Sequence, residues 1–298
     1  MEEYRIAVFL GIGTGLLARL LMLRTDYRQY PTNPHGKVIH ITLGFIAAAL
    51  GAIAVPALFA KDFAAITFLA LAAQQFREVR NMERQTLSRM DEQELVPRGG
   101  TYIEGIAMVF EGRNYLVILT ALCVTFFAHR FHWLYGLTAA VISLMLVMKW
   151  RSGKSVAQIA RIRPASLRFE EALLLVDDIP IMNVGLSTNR QTILNKGLGI
   201  VIEPAGPDEA VTLANLGQRQ AILHDCSTIL GVYRDAGTPS FVPLAKLDLE
   251  NGRVGVFLLP QDRDIEKALL AVGRVPVLES AIRMPSESAA TRERRMRR

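Results

Sequence analysis

Glu104, Glu111 and Arg113 lie inside or at the mouth of an apolar stretch, Thr-Tyr-Ile-Glu-Gly-Ile-Ala-Met-Val-Phe-Glu-Gly-Arg-Asn-Tyr, at residues 101–115. Ionisable groups at that depth are costly, which makes them functional-site candidates. The glutamates are seven residues apart and each precedes a glycine. On a helix turning about 100° per residue they fall within about 20° of one face. Such a carboxylate pair can accept a proton or activate water. A structural cluster is the preferred alternative, because no third group that chemistry would need is identifiable. In that reading Arg113 neutralises one carboxylate and the glycines, Gly105 and Gly112, permit close helix contact.

A second constellation, His224-Asp225-Cys226-Ser227, holds every side-chain type a hydrolase uses. On one helical turn His224 and Cys226 point about 200° apart and cannot pair. His224 and Ser227 share a face, yet a dyad needs an orienting group and an oxyanion site from elsewhere. A polar helix face with Cys226 buried behind it is the simpler account. His129 and His132 stand at i, i+3 with no third ligand nearby, so no metal site is expected. Asp177-Asp178 before Ile-Pro reads as a turn. Neither a Gly-x-x-x-x-Gly-Lys-Ser/Thr loop nor a strand-linked Gly-x-Gly-x-x-Gly is present, and no cofactor is expected.

The elements that would carry these residues differ between the halves of the chain. Of 298 residues, 51% are apolar, and mean hydropathy is positive, more than an ordinary soluble domain carries. Long uncharged runs predict about five transmembrane helices, at 6–23, 39–59, 63–76, 115–128 and 134–148. The fourth lengthens if its helix starts near Tyr102, and the third is the weakest assignment. Arg19 interrupts the first near one end, where it can snorkel to water. Gly11 and Gly15 form a small-xxx-small spacing suited to close helix approach, a second copy included. Residues 74–95 read as a solvated amphipathic helix, with Phe76, Val79, Met82, Leu87 and Met90 at helical spacing. Trp133, Tyr135 and Trp150 fit an interfacial belt.

Lysine and arginine concentrate at 24–38, 77–114 and 149–168, which places the N-terminus outside and the remainder after residue 148 in the cytoplasm. The acidic Met1-Glu-Glu start is not that of a cleaved signal peptide. Cys123 and Cys226 read as two free thiols in a reducing compartment.

Residues 149–168 form a basic linker whose six positive charges are worth about 1 kcal/mol each beside an anionic leaflet. Without interleaved aromatics, nucleic-acid binding is not expected. From 169 to 284 ten Lys/Arg face fifteen Asp/Glu, which marks a small cytoplasmic α+β domain following the multispan half. Helices are expected at 187–197 with Ser187 as cap, 207–216, 218–230 and 262–272, and strands at 198–203 and 275–279. Asn251-Gly252 closes a hairpin between 241–249 and 253–259. The tail 285–298, with five arginines in its last seven residues, reads as disordered.

The string Tyr102-Ile103-Glu104-Gly105-Ile106-Ala107 resembles the eponymous motif of the YIEGIA family, polytopic membrane proteins of endospore-forming bacteria. Ala214-Asn-Leu-Gly-Gln-Arg-Gln-Ala-Ile-Leu-His-Asp and Gly252-Arg-Val-Gly-Val-Phe-Leu are similar as well, so the resemblance covers nearly the whole chain. It implies that host class, a small soluble capping partner and a proposed proteolytic activity. Together these predict a membrane-anchored regulatory or partner-binding protein linked to sporulation. The alternative is a membrane-associated protease held in check by the capping partner, with Glu104, Glu111 or the His224/Ser227 face supplying chemistry. A solute transporter fits less well, since there are no paired half-repeats.

Overall fold

The computed structural model describes residues 4–26, 34–150, 153–235, 238–239 and 241–287. They divide into two units, Met1–Gln85 with Ile106–Ser152, and Thr86–Gly105 with Gly153–Arg298.

Five helices build the first unit: α1 (Arg5–Asp26), α2 (Pro34–Phe59), α3 (Phe63–Asp91), α4 (Gly100–Arg130) and α5 (Trp133–Trp150), with α3 and α4 contributing residues to both units. Three are long and apolar enough to cross a membrane: Arg5–Arg24, Gly36–Phe59 and Gly100–Arg130. Trp133–Lys149 is apolar but shorter, and α3, expected as a third span, is a 29-residue helix that turns charged past its apolar first half.

Small side chains make the core of this unit. Ala18, Ala47, Ala48, Ala52 and Ala121 surround Met22, Phe76, Val117 and Val147. Small side chains permit the close backbone approach by which helices associate in lipid. Gly11 faces Ala52 and Thr125, and Gly15 faces Ala48 and Ala121. The approach expected of the Gly11/Gly15 spacing is thus made by α2 and α4 of the same chain.

Arg19 corrects the snorkelling expectation. Its side chain is fully buried and pairs with Asp26 at 2.7 Å on its own helix. At the far end of α2, Lys61 N donates to Leu58 O and Asp62 N to Ala57 O, at 3.2 and 3.0 Å, which is a Schellman closure. Lys61 occupies its left-handed position at φ +51, where glycine would avoid a cost of roughly 1 kcal/mol. Asp62 Oδ1 then accepts from Ala65 N at 3.0 Å and starts α3.

The second unit begins with β1 (Ala160–Ala165), β2 (Leu167–Glu170), β3 (Leu173–Val176) and β4 (Ile179–Asn183). Then come α6 (Ser187–Lys196), β5 (Leu198–Pro204), α7 (Pro207–Ala214) and α8 (Leu216–Leu230), followed by the short pair β6 (Arg234–Asp235) and β7 (Thr238–Pro239). The hairpin β8 (Leu244–Leu247) and β9 (Val254–Leu258) precedes α9 (Ile265–Arg274). A four-stranded antiparallel sheet runs β1-β5-β9-β8 and a three-stranded one β2-β3-β4.

Registers explain the layering. Val201 pairs with Gly255 and Gly199 with Phe257, so these four share a face. A side chain on Gly255 would strike Ile179 of β4, which puts that face against the smaller sheet. Ile200 and Val256 alternate to the other face, where α8 and α9 pack. Both central strands are therefore buried on both faces and read as continuous apolar runs. The expected α+β class holds, with two sheets.

Several boundaries moved. Residues 160–165 and 167–168, read as part of a basic linker, lie in strands: β1 is a sheet edge, and its two arginines and Pro164 suit an edge rather than a linker. The strand expected at 275–279 is absent apart from a single bridge between Ser155 and Pro276. The Gln218 side chain satisfies that backbone instead, donating to Pro276 O at 3.1 Å and accepting from Leu278 N at 2.8 Å. Ser187 is the first helical residue of α6 rather than its cap, which is Leu186. Pro285–Glu287 form a 3-10 turn in which Ser286 N donates to Asp208 at 2.9 Å; residues 288–298 of the tail lie outside the described residues.

Candidate functional site

Two clusters of ionisable side chains stand out, one in each unit. In the second unit the chain leaves α3 at Asp91 and enters α4 at Gly100. Asp91 closes this turn by accepting from Arg98 N at 2.6 Å and Gly99 N at 3.0 Å. Arg98 Nη1 lies 3.2 Å from Glu94 and 3.7 Å from Asp91. Gly99 sits at φ +83, and a β-carbon there would strike the Gln220 amide. Glycine is therefore needed both for the backbone conformation and for the approach.

Helix α8 grips the turn. Asn215 caps it by accepting from Gln218 N at 3.2 Å. A β-carbon on Gly217 would stand 3.2 Å from Thr101 O. Gln220 Oε1 accepts from Tyr102 N at 3.2 Å, sharing with Gly99 O, at 3.1 Å, a donor in the first turn of α4. His224 Nδ1 donates to Val96 O at 2.7 Å; since a carbonyl only accepts, the proton is on Nδ1. Burial pushes the His224 pKa down, with Arg98 adding to the effect and the Val96 bond opposing it, so the ring is neutral. Below the motif, Gly105 meets Ser280 Oγ where a β-carbon would stand. The motif string 102–107 and the string 214–225 are thus brought together, with Asn215, Gly217, Gln220 and His224 each having a place in the grip.

Asp225 is the exception in this cluster. It is half-buried and makes no hydrogen bond among the described residues. Burial pushes its carboxyl up to about 6, partly offset by Arg98. Burial and the neighbouring Asp225 together push the Cys226 thiol up to about 12, so this thiol is inert. Ser227 Oγ donates to Leu223 O at 2.7 Å and His224 to Val96, so neither is engaged with the other. Tyr102 is 1% exposed, and Glu104 is half-buried on the same helix.

The cluster of the first unit links four helices. Asp26 of α1 bridges two arginines, Arg19 Nη1 at 2.7 Å and Arg113 Nε of α4 at 2.8 Å. Arg113 Nη1 also donates to Met22 O at 3.1 Å. The Arg19 guanidinium lies 5.1 Å from the centre of the Phe110 ring, whose other neighbour is the buried His40 ring of α2 at 4.7 Å. His40 Nε2 is 3.8 Å from Glu83 of α3, and Arg80 of α3 holds Glu111 at 3.1 Å. Asn114 is fully buried with neither amide atom partnered among the described residues. Glu111 is therefore already paired, and the Arg113–Asp26 contact is one that the reading of residues 101–115 did not anticipate. His129 lies against Tyr4, ring centres 4.2 Å apart, and meets Phe59 edge-on. No group of three or more His, Cys, Asp or Glu among the described residues could hold a metal ion.

Arg19–Asp26 was within reach of the sequence, since i, i+7 is the same spacing that singled out the two glutamates. Asp91 and Arg98 share that spacing, but Asp91 acts chiefly on the backbone amides of a turn, and Asp225, with no hydrogen bond among the described residues, carried no signal at all.

The family described as "YIEGIA protein" matches residues 7–288. A protein of Bacillus subtilis, an endospore-forming bacterium, described as "Uncharacterized protein YphB", is 54% identical over 288 residues, covering 96% of this chain and 97% of the relative. No solved structure matches. With the motif at 102–107, three apolar helices and a match that takes in both units, the chain belongs to the YIEGIA family.

Proposed function

We propose that this is an integral membrane protein acting as a membrane-anchored regulator, in which the α+β unit binds a small soluble capping partner in the setting of sporulation. Five spans, with the N-terminus outside and the α+β unit cytoplasmic, complete the reading. One observation carries it: three polar side chains of the motif turn and α8 are committed to backbone groups. Asp91, Gln220 and His224 each hold main-chain atoms of residues 96–102. Such groups fix a segment rather than attack a substrate, and the segment they fix continues into the apolar helix α4. Partner binding on α8 would thereby bear directly on a spanning helix. The test is affinity purification of the full chain from sporulating cells. A stoichiometric small soluble protein, lost on Gln220→Ala/His224→Ala, supports the reading. Recovery of the chain alone counts against it.

The second reading, a membrane-associated protease, is favoured by Asp225, since a carboxyl raised to about 6 is matched to general acid–base work. Asp225→Asn, Glu104→Gln, Glu111→Gln, His224→Ala and Ser227→Ala variants, at normal protein levels, test it through a cleaved substrate. Full cleavage by all five would end that reading.

A further inference from the structure

Helices α2, α3 and α4 leave an apolar cleft of about 220 Å³ in the first unit, lined by Leu50, Ala54, Leu58, Ile66, Ala70 and Ile118 among others. Leu50, Ala54 and Leu58 follow one another at i, i+4 along one stripe of α2, and Ile66 and Ala70 do so on α3, so the cleft runs lengthwise between the two helices. Its alanines create the gap: larger side chains at 54 and 70 would close it. Every lining side chain is hydrocarbon, and an opening with no polar partner does not retain water.

At the end where α2 passes into α3 stands Lys61, three residues beyond Leu58 and five before Ile66. Its side chain is exposed, and among the described residues its ammonium has no partner. The adjacent carboxylate, Asp62, is oriented onto Ala65 N. Lys61 also holds the left-handed position of the helix closure, at φ +51, where glycine is the favoured residue. A charged side chain kept at a strained position points to a task for the charge.

We propose that the cleft and Lys61 together form a binding site for one anionic phospholipid, with an acyl chain between α2 and α3 and the phosphate on Lys61 Nζ. A hydrocarbon slot with the Lys61 ammonium at one end matches an amphiphile with an apolar limb and a negative head. A second copy's helix would have no use for the cation.

The test is native mass spectrometry of the full chain released from nanodiscs of phosphatidylglycerol and phosphatidylcholine in equal amounts. One retained phosphatidylglycerol per chain is expected. Lys61→Gly, which relieves the backbone strain, should lower the preference for phosphatidylglycerol about fivefold, the ~1 kcal/mol that a lysine contributes at an anionic surface. Its thermal stability should not fall, whereas Lys61→Arg should keep the preference. Ala70→Phe, filling the slot, should abolish retention of either lipid. No retained lipid in the wild type, a lipid-free dimer, or an unchanged preference in Lys61→Gly would each overturn the proposal. The Lys61 arm stands even if Ala70→Phe fails to fold.

Discussion

Asp225→Asn preserves size and shape while removing a charge that the second unit holds at a cost. Burial raises this carboxyl from an ordinary 3.8 to about 6. The folded form therefore holds the proton more tightly than the unfolded one. Stability from that protonation is full below pH ~3.8 and lost as pH rises through about 6. A shift of roughly 2 pH units corresponds to about 3 kcal/mol that the ionised carboxylate costs at pH 8. Asparagine should recover it there and gain only about a third as much, roughly 1 kcal/mol, at pH 4.5, where the folded group is mostly protonated but the unfolded one is still mostly ionised. For a unit of this size the pH 8 gain is about 6–12 °C in midpoint. The two units need not unfold together, so the probe must report on the second alone. Cys226 serves, being fully buried there. In a Cys123→Ser background, its labelling by a thiol reagent against temperature gives the midpoint. A gain equal at pH 4.5 and pH 8, or a loss at pH 8, would refute the account of Asp225.

Asp26→Asn leaves Arg19 and Arg113 facing each other without the carboxylate they share, and should cost about 3–5 kcal/mol; melting of the α1–α2–α4 core, followed by helical circular dichroism, checks this, and no change would mean that the pairing is not buried. Gly99→Ala must hold a β-carbon in left-handed backbone against the Gln220 amide, and should cost roughly 1–2 kcal/mol before any repacking. Faster proteolytic nicking at residues 92–100 is the readout, and wild-type resistance would contradict the geometry.

Much of the second unit was legible because its signals are local. Gly197, Gly231 and Asn251-Gly252 punctuate the chain where α6, α8 and the β8–β9 hairpin end or turn. The strand at 198–203 announced itself as an apolar run because both its faces are buried. β1 was missed because an edge strand carries outward arginines and a proline, the composition of a linker. The strand expected at 275–279 failed because Gln218, nearly sixty residues away, takes the backbone bonds that a neighbouring strand would have made. Arg19 reads as a snorkelling residue when the first span ends at residue 23; the helix runs on to Asp26, which supplies its partner. The motif was legible as a string and its glutamates as a candidate pair. Its grip was not, since the Tyr102–Gln220 and Val96–His224 contacts join residues more than a hundred positions apart.

The central claim is that residues 91–105 belong to the α+β unit, clasped by α8, rather than forming a loop at a membrane edge. Amide hydrogen exchange of the full chain in nanodiscs addresses this directly. Arg98, Gly99 and Tyr102 amides should exchange as slowly as those of β5 and β9, and Gln220→Ala should release Tyr102 first. Rapid exchange across 96–102 while β5 and β9 stay protected would contradict the account.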